Sequence, residues 1–343
     1  MEKMKTPIVT IAISLYNNEQ QIIRCIQSVL NQSYHHIEVI VVNDGSTDSS
    51  REKANTFIDN RISIVDKENG GLSSARQLGL DMATGEFICF IDGDDYLLPD
   101  YVDKMLERMQ RDHSDICICS TLFEDEDGQK IQYDTDFFKA QDFAKPIKGG
   151  MDKSIRYLFL SDSWNKMYRL SFLKSKQVSF AMPKGLNGTD RAFNMKLYVH
   201  QPLYSSISNQ CYAHVIYKKS AVHRKNKDLL KSYMTIIDQV ENECRKAGNL
   251  PTYEKYLNTH YYLFLRSSYQ DVFNESSHLI SVIKSFKSIN KRHLLFTKNR
   301  AYLSHPMMKG TKSHLFFLRL FNHMKIALPA YFWMRKAVIN FHY

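Results

Sequence analysis

FICFIDGDDYLLPD, residues 87–100, passes straight from five apolar residues into three carboxylates, Asp92, Asp94 and Asp95, within four positions. Phe87 to Ile91 carry no charge, the pattern of a strand buried on both faces. Like charges this close repel and raise one another's pKa, so the crowding costs stability unless a cation or hydrogen-bond donors offset it. The stretch therefore asks for a metal at the mouth of a buried strand.

Three further runs share the apolar, β-branched character of residues 87–91: 8–13 (IVTIAI), 37–42 (IEVIVV) and 62–65 (ISIV). Helical spacing lies between them. Ile22, Ile26, Val29 and Leu30 follow Asn18 and Glu19, and Ala75, Leu78 and Met82 follow the candidate caps Ser73 and Ser74. Strand alternating with helix predicts an α/β fold, a Rossmann-like and mainly parallel sheet flanked by helices. In such sheets ligands gather beyond the carboxyl ends of the strands. The polar residues stand at those ends: Ser14, Tyr16 and Asn17 after the first run, Asn43 to Ser46 after the second, and Asp92 to Asp95 after the fourth. A helix from Tyr101 to His113, a strand from Ile116 to Ser120 and an acid-rich, hairpin-like region to about residue 150 follow. A strand-like SFAM (179–182) precedes PKGLNGTDRAFNMKLY, and Leu230, Tyr233, Ile237, Val240 and Cys244 mark a helix stopped at Gly248.

At 343 residues, 43% hydrophobic and 12% aromatic, the chain is globular rather than disordered. Its net charge of +10 is not spread evenly. Twelve of the 46 cations lie after Glu275, where no acid occurs, leaving 34 against all 36 acids in residues 1–275. Only the tail is basic, and no recognised nucleic-acid module accompanies it, so nucleic acid is not an expected partner. The six scattered cysteines suit buried hydrophobes in a reducing compartment, and Cys117-Ile-Cys119 alternates as a strand does rather than as a zinc site. Ile326 to Met334, interrupted by Pro329, is far short of the roughly 20 residues that span a bilayer.

Taken singly, the polar turns have plain structural readings. Asp92-Gly93-Asp94 suits a solvated turn ahead of a helix, and Asn43-Asp44-Gly45-Ser46 is turn composition throughout. Equally, two alternate carboxylates at a strand end suit Mg²⁺ or Mn²⁺, which take one or two carboxylates plus substrate phosphate oxygens. A buried Asp44 suits a base or ribose, and Tyr16 suits stacking on a base.

Together and in order, IAISLYNNE, SVLNQSYHHIEVIVVNDGSTDSS, NGGLSSARQLGLDMATGEFICFIDGDDYLLPD and SWNKMYR resemble the bacterial family 2 inverting glycosyltransferases of GT-A fold. The resemblance runs through roughly residues 1–220. It implies a catalytic domain over 1–225, its nucleotide-sugar half at about 1–115 and its acceptor half at about 116–225, followed by a helical, basic region over 226–343. Tyr16 and Asp44 match the residues that hold uracil and ribose, with Ser14 and Asn17 beside them, and Arg76 matches the arginine before the donor-side helix. Asp92 and Asp94 match the DXD pair, Asp94 as the direct ligand of Mn²⁺ or Mg²⁺ and Asp92 nearer the ribose. Trp164 and Lys166 match the pair placed where acceptor and donor phosphate meet. Asp190 matches the catalytic base. Two departures stand out: Ser14-Leu15 where the family has Pro-Val, and Thr189 where it has the glutamate of an acceptor-side Glu-Asp pair.

The resemblance further implies transfer of a hexosyl or N-acetylhexosaminyl group from a nucleotide sugar, a UDP-sugar, to a glycan or lipid-linked acceptor. The setting implied is synthesis of capsule, lipopolysaccharide, exopolysaccharide or teichoic acid, in the cytoplasm on the inner face of the membrane. In the tail, Phe317, Leu320, Phe321, Met324 and Leu328 share a helical face with Arg319, Asn322 and His323 opposite and Ile326 an exception, a pattern suited to an anionic membrane surface or to packing on the protein itself. Two alternatives compete: a sugar-nucleotide nucleotidyltransferase, which needs a glycine-rich basic loop where Ser14-Leu15-Tyr16-Asn17 stands, and a non-catalytic glycan- or membrane-binding protein on a transferase fold. His214, in CYAHVIYKK, is read as a core or surface residue outside the metal site.

Overall fold

The computed structural model describes residues 6–132, 147–148, 162–186, 188–217, 229–250 and 253. Contacts divide the chain into two units, Met1–Lys227 and Asp228–Tyr343. The tail stripe at 317–328 and most of the acid-rich stretch between 133 and 150 lie outside the described residues.

Unit 1 is built on one mixed sheet. Its first half holds β1 (Val9–Leu15), β2 (Ile37–Asn43), β3 (Ile62–Asp66) and β4 (Phe87–Asp92), parallel in the order β3-β2-β1-β4. Every residue of β1 is buried, as an unbroken apolar run between two parallel neighbours requires. Helices α1 (Ile22–Leu30), α2 (Ser50–Ala54) and α3 (Leu72–Met82) connect these strands. In α1, Ile22, Cys25, Ile26 and Val29 are buried, each stabilising by about 2 kcal/mol for a fully buried aliphatic chain.

The second half departs from the parallel expectation. β8 (Lys166–Arg169) lies antiparallel to both β4 and β6 (Ile116–Asp125), β9 (Leu203–Ile216) runs parallel to β6, and the short β5 (Tyr96–Leu97) and β7 (Ile147–Lys148) pair antiparallel with β9. The sheet order continues β4-β8-β6-β9-β5. Two register shifts between Cys119 and Thr121 bend the β6–β9 pair, and β9 is long enough to continue past the bend towards the acid turn. Helices α4 (Tyr101–Asp112), α5 (Leu170–Lys176) and α6 (Thr189–Val199) belong to this half. The SFAM segment forms no strand. Its Phe180 instead stacks on Phe193 of α6, rings 3.8 Å apart at 8°, which spends the apolar residue on packing rather than on a ladder.

In unit 2, α7 spans Leu229–Lys246 and ends where Gly248 takes φ 67°, with Asn249 N–H donating back to the Cys244 carbonyl at 2.9 Å. Among the described residues no helix is long and apolar enough to cross a membrane.

Candidate active site

The acid turn leaves β4 where Ser14 and Asp92 pair across β1 and β4. Gly93 N–H donates to the Ser14 carbonyl at 2.9 Å, and a Cβ at residue 93 would sit 3.0 Å from both that oxygen and Asn18 Oδ1. Glycine is needed there because the backbone comes so close, and the tight turn sends the three carboxylates to three different fates.

Asp95 points inward and is fully buried. It accepts from Tyr212 Oη at 2.6 Å and from the Val215 N–H at 3.0 Å, and pairs with His214 Nδ1 at 2.9 Å. Asp92 Oδ1 accepts from Arg76 Nη2 at 2.6 Å. Burial raises the Asp92 pKa, Arg76 opposes it, and Asp95 and Asp190 add to it, leaving it at about 6. Asp94 has no side-chain partner among the described residues. Burial, then the charges of Asp95 and Asp92, push it up to about 7.

Arg76 joins the turn to the second half of the sheet. It lies inside α3 rather than before it, is 1% exposed, and donates through Nη2 to Asp92 and through Nη1 to Asp190 Oδ1. Burial works against its charge, and the two carboxylates override that, raising its pKa. Two carboxylates on its Nη atoms offset much of the desolvation of this buried guanidinium, while its Nε is left buried without a hydrogen-bond partner among the described residues. Asp190, in the first turn of α6, also accepts from the Ser163 N–H at 2.9 Å, and Thr189 Oγ1 approaches it at 3.5 Å. Three segments distant in sequence, at 76, 92 and 163–190, thus meet around one guanidinium.

Other expected residues stand close by but face elsewhere. Lys166 is 0% exposed, and its ammonium donates to the Asp162 carbonyl and to Asn165 Oδ1 at 3.0 Å; it reaches no open surface where a donor phosphate would sit. Burial lowers its pKa to about 8 against the pull of Asp162 and Asp190. With Asn194, which donates to the same carbonyl at 3.0 Å, it fixes the turn whose Ser163 amide holds Asp190. Trp164 is buried too. It stacks on His214 at 5.0 Å and 5°, with Tyr212 at 4.8 Å, and so carries the histidine rather than facing an acceptor.

Of the residues expected to hold the donor, Tyr16 follows β1 and is 47% exposed. Ser14 is buried between Val42 and Asp92. Asn17, at φ 52°, uses Oδ1 to accept from the Thr47 N–H at 2.8 Å and so ties the end of β1 to the turn after β2. Asp44, expected to face a base or ribose, is 3% exposed and accepts from three donors within the protein. Oδ1 accepts from Lys67 Nζ at 2.6 Å and Gly70 N–H at 2.8 Å, and Oδ2 from Gly71 N–H at 2.7 Å. It holds the loop that begins α3, because two backbone donors and an ammonium outcompete water for a buried carboxylate.

Sequence reasoning set His214 aside and passed over Lys67 and Tyr212. Tyr212 and His214 alternate on β9 and so point to one face, but only the pairing of β9 with β5 aims that face at Asp95. Burial works against the imidazolium, and Asp95 with Asp92 and Asp94 behind it carries the His214 pKa up to about 9. Among the described residues no three His, Cys, Asp or Glu side chains form a ready-made metal cage.

Residues 10–174 match the family model described as Glycosyl transferase family 2. EpsH of Bacillus subtilis (strain 168) is 34% identical over 271 residues, which cover 77% of this chain and 76% of EpsH. The chain belongs to glycosyl transferase family 2. Within the family, the hyaluronan synthase of Pasteurella multocida is 40% identical over 119 residues, 34% of this chain and 12% of that one. Among solved structures, TarS 1–349 of S. aureus in complex with UDP-GlcNAc superimposes with a TM-score of 0.60 at 20% identity, covering 79% of this chain and 74% of TarS. That likeness carries the fold, and the mixed sheet with its flanking helices is the GT-A architecture of the family 2 glycosyltransferases.

Proposed function

We propose that this glycosyltransferase moves a sugar, with inversion, from a UDP-sugar to a glycan or lipid-linked acceptor in the assembly of a surface polysaccharide. The observation that carries the reading is an Asp94 carboxylate with no side-chain partner among the described residues, next to Asp92, which Arg76 ties to Asp190. The exposure of Tyr16 supports a stacked base. UDP-GlcNAc in TarS supports a uridine donor, and the name hyaluronan synthase supports a polysaccharide product.

In the transfer, the acceptor oxygen bonds to the anomeric carbon as the bond from that carbon to the diphosphate breaks. The diphosphate leaves with the electron pair, and the acceptor's proton passes to Asp190. A single displacement needs no nucleophilic carboxylate. Asp190 is fit for the role because the Ser163 amide and Arg76 fix its direction at the start of α6. Asp94, with Asp92 beside it, would hold Mn²⁺ or Mg²⁺, and such an ion supplies counter-charge to the departing diphosphate. The donor set fits: Asp92 and Asp94 offer hard oxygen ligands and excess negative charge, the set that takes such an ion together with substrate phosphate oxygens.

Screening the purified chain against a panel of nucleotide sugars with Mn²⁺, reading nucleotide release, tests the activity and names the donor. Asp190→Asn is expected to bind UDP normally by calorimetry while losing transfer by roughly 10²–10⁴-fold; unchanged turnover would remove Asp190 as the base. The acid-free tail after Glu275 supports attachment to an anionic membrane face. Truncation before residue 314 is expected to reduce co-sedimentation with anionic liposomes, and an unchanged pellet would assign the tail to packing on the protein.

A further inference from the structure

The side chain of Asp94 has no side-chain partner among the described residues, but its backbone carbonyl is engaged. Helix α1 reaches across to the acid turn with two consecutive residues. Arg24 Nη2 donates to the Asp94 carbonyl at 3.1 Å, and the Cys25 thiol donates to the Asp92 carbonyl at 3.7 Å. The same Arg24 nitrogen lies 3.0 Å from Tyr217 Oη, just past the end of β9, and Tyr217 Oη itself reaches the Asp94 carbonyl at 3.3 Å. The guanidinium is laid over the Tyr96 ring at 4.7 Å, and Tyr96 is tied down by donating to Glu124 Oε2 at 2.6 Å. Arg24 is on the surface, yet its fork is committed to one carbonyl, one hydroxyl and one ring.

This arrangement differs from a surface ion pair. Arg24 has no carboxylate partner among the described residues, although three acids lie within the turn it touches. Pairing with Asp94 would neutralise the carboxylate the site leaves open. Donation to its carbonyl instead fixes the backbone on the far side of the same residue, while Tyr96 and Tyr217 hold the guanidinium off the carboxylate.

We propose that Arg24, braced by Tyr96 and Tyr217, is a positioning residue that holds the Asp94 carboxylate in the direction required to bind a divalent cation. The inference rests on Asp94 being the cation ligand. Residues that orient a metal ligand without touching the metal are typically worth about 10–100-fold in metal affinity. Lysine cannot replace the fork, since one ammonium cannot lie flat on the Tyr96 ring while serving both oxygens.

The test is Mn²⁺ binding to the full chain at saturating UDP, read from the loss of the free Mn²⁺ electron paramagnetic resonance signal beyond that of a protein-free UDP blank. Wild type, Asp94→Asn, Arg24→Gln, Tyr217→Phe and the Asp94→Asn/Arg24→Gln pair are compared, with metal-free melting as the control for folding. Asp94→Asn is expected to remove the binding, and Arg24→Gln to weaken it about tenfold with melting unchanged. Tyr217→Phe, which keeps the ring and drops one donor to the carbonyl, is expected to weaken it less. In the paired variant the Arg24 change is expected to add nothing. Normal Mn²⁺ binding by Arg24→Gln, with Asp94→Asn inactive in binding, overturns the role of Arg24 and leaves the functional reading standing. Weaker UDP binding by Arg24→Gln at undiminished Mn²⁺ affinity also overturns it, making Arg24 a phosphate contact. Equal Mn²⁺ binding by wild type and Asp94→Asn overturns the assignment of Asp94 and both readings with it.

Discussion

Asp44 and Asp94 lie beyond the carboxyl ends of β2 and β4, on either side of β1, and their surroundings are opposite. Asp44 is held by an ammonium and two backbone amides, whereas Asp94 is half-buried among like charges with no side-chain partner among the described residues. Both read in the sequence as acidic residues in polar turns. The difference suits a division of work in which Asp44 braces a loop and Asp94, without a side-chain partner among the described residues, takes the proposed cation.

Exchanging their properties by mutation tests this contrast. The largest effect is expected from Asp94→Asn, which removes the open carboxylate. Nucleotide release in Mn²⁺ is expected to fall by about 10³-fold, the scale of a lost metal contact to a leaving group. The metal-free melting temperature is expected to hold or rise, because a like-charge contact is relieved. A drop in melting temperature would mean that Asp94 is a structural residue and the contrast is false.

Asp44→Ala is expected to behave the other way. It strands two backbone donors and Lys67, at a cost of about 3 kcal/mol in denaturant unfolding. Unchanged stability would break the comparison from the other side, by showing that the loop holds without Asp44.

The smallest effect concerns the support behind Asp94. His214 pairs with Asp95 and faces Trp164, Phe123, Asp92 and Asp94. Its folded pKa of about 9 lies above the ordinary 6.5, so its stabilisation is fully present below about pH 6.5 and is lost as pH rises through about 9. Melting of the metal-free protein is expected to fall by a few degrees across that window. His214→Gln is expected to flatten the fall, and an identical pH profile in the variant would show that the pair carries no charge-linked stability.

The parallel half of the fold was legible because its signals are local. Ile11 to Ile13, Val39 to Val42 and Phe87 to Ile91 are runs that only a strand covered on both faces tolerates, and polar residues follow directly at their ends. The antiparallel half was less so. β8 is four residues long, and nothing within KMYR says that it will lie between β4 and β6. Among the site residues, the sequence announced which would reach the carboxyl edge but not which lone pairs would be spent on arrival. Lys166, Trp164, Asn17 and Asp44 all reach that neighbourhood and are engaged by groups 1 to 50 positions away, a matter of tertiary partners that spacing does not encode. Arg24 gave no signal, since an arginine on an amphipathic helix is ordinary until β9 delivers Tyr217 beside it.

The loop held by Asp44 has a mechanical consequence. Gly71, whose amide Asp44 grips, is the residue before α3, and Arg76 is five residues further on, about 7.5 Å along a helix rising 1.5 Å per residue. A single rod therefore has its first end clamped at the turn beyond β2 and a guanidinium near its middle, in contact with Asp190. A helix this short does not stretch or bend appreciably, so a shift of the turn is passed along its axis to the arginine almost undiminished. The grip on one carboxylate sets the tolerance with which the other is aimed.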